Sequence, residues 1–488
     1  MENSQSFYIC LYRGENGKNL GHALSNSADF PEKISKDVTI DQVNVGTNFG
    51  TIFDLFCESM LGYMDILPFI AIIGSVITDG IQNAELTEFC ESNSVNTIRR
   101  DQSDIFEIGV NNYSEYRSIE VRRKSAQLVS KQVPKMLLIG IVGSLDHYLA
   151  QIMKEILKKF PAMISDSDKT ISVRDIFKSG SLEEFKDFLL DREIESVTRS
   201  SFEDQIDWIE KRLNIARKIK DDYANWLSLI EVIERRNLFA HANGLVNDIY
   251  IKSLNASGSE AVKMKKGDEL FASPKYFKAS LDNICEFGVK ILQVSWRKLH
   301  QKETALADDS LGDFGYKLIE RGEYKLASAV LDFAVNGLRG KTVEARRRMD
   351  IVNLANAYKL DGREAEAMKT LDAEDWTIVS DQFAISVAAI RGDIATVLSY
   401  MRRLSQSGEW DGNTLEEWPV FVHVRDDLPF RAEFEKLFGR KYVPQETNKY
   451  KLIRKTIRRS RSGPSSKKTD RTSTRRQPNL VLIEGEKK

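Results

Sequence analysis

Cysteine, histidine and proline are scarce in this chain, at four, five and ten of 488 residues, and what they fail to form narrows its chemistry. Cys10, Cys57, Cys90 and Cys285 never approach a C-x-x-C spacing, which excludes a zinc ribbon and a disulfide framework and leaves reduced, buried thiols as the expectation. His22, His147, His241, His300 and His423 do not pair at metal-ligand spacing, and neither H-E-x-x-H nor a glycine-rich phosphate loop occurs, so no metal or other cofactor is expected. Charge of one sign is missing too: the formal net charge is -1, so any attraction for nucleic acid has to be local. The longest apolar run, ILPFIAIIGSVI (Ile66 to Ile77), falls short of the roughly 20 residues that span a bilayer and contains Pro68, so it reads as core. The opening MENSQSFYIC has no basic flank leading into an apolar stretch, hence no secretory signal. A cytoplasmic protein without membrane contact is expected.

What is present is helix. The length suggests roughly three domains with separate cores. Residues 1–130 combine a strand-like opening (SFYICLY), a helical block from Thr51 to Gly80 and a polar connector (ESNSVNTIRRDQSD); they form an α or α+β region with no assigned role. From Pro134 a long helix runs, with Leu138, Val142, Leu145, Leu149, Ile152 and Ile156 at three- and four-residue steps. SLEEFKDFLLDREI follows with a Ser cap, then further helix from Phe202 to a stop at Asn243-Gly244. A short hairpin is expected over Asn247 to Phe271, and a last apolar-faced helix over Pro274 to Leu299. Residues 131–300 thus read as one helical bundle.

From Leu311 the text repeats itself. L-G-x-x-x-Y is followed by a turn at Gly322 and by Ala329 and Phe333 at A-x-x-x-F spacing; the scheme returns around Gly362 and, more weakly, Gly392. This resembles the tetratricopeptide repeat, whose stacked helical hairpins offer a concave surface to a peptide or protein partner. Residues 309–440 are assigned to such repeats, with Trp418 to Gly439 as a closing cap. Beyond them, residues 441–488 form a basic tail in which KYKLIRKTIRRSRSGPSSKKTDRTSTRRQ sets twelve Lys or Arg against the single Asp470. Its composition predicts disorder, and Arg454, Lys455, Arg458, Arg459 and Arg461 are candidate RNA contacts through counterion release.

The stretch RRNLFAH (Arg235 to His241) interrupts an apolar stripe. At 100° per residue Tyr223, Trp226, Leu227, Ile230 and Ile233 share a face that continues through Asn237 to His241. Two polar side chains are thereby expected on a face otherwise buried, with Glu234 beside them, and each must be satisfied internally, wetted in a cleft or held at an interface. Arg236 points about 140° away from His241 on an ideal helix, so one copy does not obviously converge them on a phosphate, whereas two copies packed through this face could. His suits proton transfer, Arg suits phosphate charge in a transition state, and Asn can fix the His tautomer or bond the substrate. That set suffices for RNA cleavage in which the ribose 2′-hydroxyl attacks its own phosphate.

ERRNLFAHANGLVNDIYI, with its R-N-x-x-x-H, is similar to the signature of HEPN domains (higher eukaryotes and prokaryotes nucleotide-binding), and GIVGSLDHYLAQIMKEIL looks like the first helix of that all-α bundle. The resemblance covers residues 131–300. It implies a metal-independent endoribonuclease with a composite site at a homodimer, Arg236 and His241 as the catalytic pair, Asn237 in support, and Glu234 or Asp146 as a contributing carboxylate. It also implies a toxin or effector role in prokaryotic antiphage defence. The predicted fold class is mainly α, a HEPN-like bundle followed by a tetratricopeptide-like α-solenoid. The alternative is a non-catalytic scaffold in which bundle and repeats only bind partners.

Overall fold

The computed structural model describes residues 8–13, 19–25, 49–75, 82–100, 103–161, 180–216, 218–258, 264–338, 343–408 and 410–443. The strand-like opening forms β1 (Tyr8–Arg13), paired antiparallel with β2 (Asn19–Ser25). The supposed polar connector is a second hairpin, β3 (Ser94–Arg100) with β4 (Ser103–Ile108). Its β-branched Val95, Thr97 and Ile98 suit a strand but are masked in sequence by Asn and Ser. The rest is mainly helical. In order come α1 (Phe49–Ser75), α2 (Gln82–Asn93), α3 (Tyr113–Lys159), α4 (Leu182–Thr198), α5 (Phe202–Arg212), α6 (Ile219–Asp222), α7 (Trp226–Ala242), α8 (Asp248–Ala256) and α9 (Pro274–Leu299).

Two of these differ from expectation. Helix α3 begins at Tyr113 and carries Pro134 in its interior, although proline forfeits a helical hydrogen bond there. The expected hairpin over Asn247 to Phe271 is instead α8, whose cap Asn247 accepts from the Tyr250 N–H, followed by one isolated bridge between Leu245 and Glu269. The Ser cap of α4 does form: Ser181 Oγ accepts from Glu184 N at 3.1 Å, while the Glu184 carboxylate takes the Gly180 N–H at 2.7 Å.

Helices α1, α3, α7 and α9 pack on one another. The six apolar positions read along α3 are all buried. By length and composition α3 is also apolar enough to cross a membrane; 44% of its apolar window is buried inside the molecule. The bundle extends beyond residues 131–300, because α1 brings Phe49 and Phe53 against Trp296 and Phe56 against Tyr148. Gly288 makes that contact possible: a Cβ there would sit 2.1 Å from Phe56 Cζ. Of the apolar run read as core, Ile66 is 46% exposed, and the side chains from residue 68 onward lie outside the described residues.

Three helical hairpins follow: α10 (Thr304–Glu320) with α11 (Tyr324–Asp332), α12 (Glu344–Leu360) with α13 (Glu364–Asp372), and α14 (Asp381–Arg391) with α15 (Ile394–Ser407). All three turn alike. Gly322, Gly362 and Gly392 adopt φ of 74°, 79° and 75°, and the next residue's N–H reaches back to Leu318, Tyr358 or Ala388. Close approach within the first hairpin comes from Gly315, where a Cβ would meet Leu331 at 2.5 Å, and from fully buried Ala327; Ala329, the position read from spacing, is only half-buried. The cap is α16 (Gly412–Glu417), a 3-10 turn and α17 (Leu428–Phe438), closed by stacked Phe421 and Phe430.

Separate cores are not what forms. One apolar cluster runs continuously from Phe49 to Phe434. Polar contacts cross the same boundary: Arg297 donates to Asp308 at 2.6 Å and Trp296 Nε1 to Glu303 at 2.8 Å, tying α9 to the first hairpin. Between the first two hairpins Arg346 bridges Asp313 and Asp350. Burial pushes the Asp350 carboxyl up to about 6, against the lowering pull of Arg346. A carboxyl raised on folding favours the folded state most below its ordinary value of 3.8, and that advantage is gone once pH has risen through about 6. Relative to wild type, Asp350→Asn should therefore gain stability as pH rises from 4 to 7, by roughly 2–3 kcal/mol in denaturant titrations; a flat difference would contradict this.

Candidate active site

Helix α7 changes its buried side halfway along. Its first half buries Trp226, Leu229, Ile230, Val232 and Ile233; its second half buries Phe239, which continues the Val232 edge, and Leu238, which lies about 180° from Leu229 on the ideal wheel. The face that begins as core therefore opens to solvent in the last turns. Asn237 is half-buried and His241 exposed, as is Ala240, and neither Asn237 nor His241 has a hydrogen-bond partner among the described residues. Of the three outcomes open to this pair, internal satisfaction is not seen among the described residues. Leu227, read as part of the core face, is 45% exposed.

A polar cluster centred on Glu231 lies at the middle of α7. The Glu231 carboxylate accepts from Arg235 Nε at 2.6 Å, Tyr250 Oη at 2.8 Å and Tyr276 Oη at 2.7 Å, joining α7 to α8 and α9. The Arg235 guanidinium lies 3.9 Å from the Tyr276 ring centroid and donates to the Phe271 carbonyl. Burial first, and the Glu231 carboxylate second, push both phenols well above the usual tyrosine range, so both stay donors. Sequence reading missed this cluster. The Glu231–Arg235 spacing of four was the available signal; the two tyrosines gave none.

Arg236 is turned to α3. Its Nη2 donates to Asp146 Oδ2 at 2.5 Å, with side chains 23% and 35% exposed, while its Nε is buried without a partner. Burial raises the Asp146 carboxyl and Arg236 opposes that rise. Of the predicted residues, then, the fold brings Asp146 and Arg236 together. Asn237, Ala240 and His241 sit beside them on the open band of α7, with Arg236 and His241 about 140° apart around an ideal helix axis. Glu234 is half-buried and makes no hydrogen bond or ion pair among the described residues. Arg454, Lys455, Arg458, Arg459 and Arg461 lie outside the described residues, as does the rest of the tail from residue 444.

No family model, no curated protein and no solved structure matches the chain. The two ends of the motif should respond differently to mutation. Asp146→Asn strips a partly buried guanidinium of its counter-ion and should lower the unfolding free energy by about 1–2 kcal/mol, whereas His241→Ala, at an exposed position, should change it by less than about 0.5. Equal losses in urea titrations would show that the imidazole is packed after all.

Proposed function

We propose that the chain is a metal-independent HEPN-type endoribonuclease that works in the cytoplasm as a homodimer, a toxin or effector of antiphage defence whose tetratricopeptide-like hairpins receive a regulatory partner. The observation that carries this reading is the division of labour on α7. Arg236 is anchored by Asp146, while Asn237 and His241 stand open on the neighbouring surface. Across a dimer, His241 of one copy takes the proton of a ribose 2′-hydroxyl as its oxygen attacks the adjacent phosphorus. Arg236 of the other copy balances the charge gathering on the phosphoryl oxygens. The bond to the 5′-oxygen breaks, that oxygen takes a proton from water while His241 later returns its own to solvent, and a 2′,3′-cyclic phosphate is left. The basic tail would hold the RNA backbone without reading sequence.

The scaffold reading has one observation in its favour: the Asp146 carboxylate already occupies one edge of Arg236. Cleavage of labelled RNA and total tRNA in EDTA separates the two. Wild type should cut and leave cyclic-phosphate ends, and Arg236→Ala and His241→Ala should each lose at least ~100-fold at matched dimer content. A wild type that dimerises and does not cut would favour the scaffold, and variants that cut as wild type does would remove Arg236 and His241 from the site.

A further inference from the structure

Lys135 is 97% hidden from solvent, on the stretch of α3 that faces the end of α7. Its Nζ donates to the Asn243 carbonyl at 2.8 Å and lies 3.3 Å from Glu269 Oε1, and it sits 5.6 Å from the ring centroids of both Phe239 and Phe271. Gln132, one turn earlier, donates to the Asn243 side chain at 3.0 Å. Asn243 and Gly244 are both left-handed, at φ of 50° and 92°, and the chain leaves them bonded through Gly244 to Leu270. Gly244 has no spare room: a Cβ would approach the Leu270 carbonyl at 2.9 Å and Lys135 Nζ at 3.2 Å.

Burying an ammonium is costly, and an apolar side chain of similar length would fill the same space without that cost. The cation is matched to one task, since its partner is the carbonyl just past a helix end, where the helix dipole places negative charge. That carbonyl lies two residues beyond His241. Eleven residues further along α3, Asp146 holds Arg236, so a single rigid helix fixes both ends of the R-N-x-x-x-H segment.

Resting on the endoribonuclease reading above, we propose that Lys135 is a positioning residue for His241: it pins the last turn of α7 so that the imidazole keeps its place relative to the anchored Arg236. The test uses the full chain as wild type, Lys135→Met and Lys135→Arg, with two readouts. In Lys135→Met, amide hydrogen exchange should quicken by about 10-fold or more in peptides covering residues 236–245 and stay unchanged across 277–296. In RNA cleavage its kcat should fall at least ~10-fold with KM held within about 2-fold, and Lys135→Arg should recover most of both effects. Unchanged exchange at residues 236–245 overturns the proposal, as does faster exchange with kcat intact, or a loss shared equally by kcat and KM. Should wild type cleave nothing, the endoribonuclease reading fails by itself, and the exchange arm still decides whether Lys135 pins this turn.

Discussion

The grip of α3 on α7 is the constraint from which the candidate site follows. The ion pair from Asp146 to Arg236 and the ammonium of Lys135 on the Asn243 carbonyl are spaced along α3 by about 16 Å at 1.5 Å per residue, and they bracket the last two turns of α7. Between them no hydrogen bond reaches Asn237 or His241 among the described residues, and His241 is exposed. A helix held only by apolar burial would rotate to hide this face. Here charge holds it at both ends while Leu238 and Phe239 are buried between them.

The same economy of contacts joins the bundle to the hairpins. Helix α9 offers Tyr276 to the Glu231 cluster beneath the motif, Lys278 to Glu323 at the first hairpin turn, and Arg297 to Asp308 farther along. Its fully buried Trp296 receives Phe49 and Phe53 from α1, and Phe53 in turn reaches Phe314 of α10. These contacts link the first hairpin to α9 and, through Tyr276, to Glu231 on α7.

Much of this was legible in the sequence for identifiable reasons. Three-and-four periodicity placed α9 and the second half of α3, and the glycine spacing located all three hairpin turns, because a left-handed turn position leaves few alternatives to glycine. The stop at Asn243-Gly244 was read for the same reason. The periodic stripe on α7 misled at its end, since periodicity reports which residues could share a face and not where the neighbouring helices diverge. Asp146 was named without a motif to fix it, and only the packing of α3 against α7 singled it out from Glu234. Lys135 and Glu231 were invisible, as each gains its meaning from residues far away in the chain. Helix α1, which lies before the boundary read near residue 130, packs into the same apolar core as the residues beyond it.

A composite site makes one demand that no single variant can meet. If Arg236 of one copy works with His241 of the other, mixing Arg236→Ala subunits with His241→Ala subunits creates heterodimers holding one intact and one doubly disabled site. Two inactive preparations, exchanged to equilibrium and assayed on RNA in EDTA, should regain about a quarter of wild-type kcat, because half of the dimers are mixed and each has one working site. A mixture as silent as its parents, with subunit exchange verified, would contradict the account.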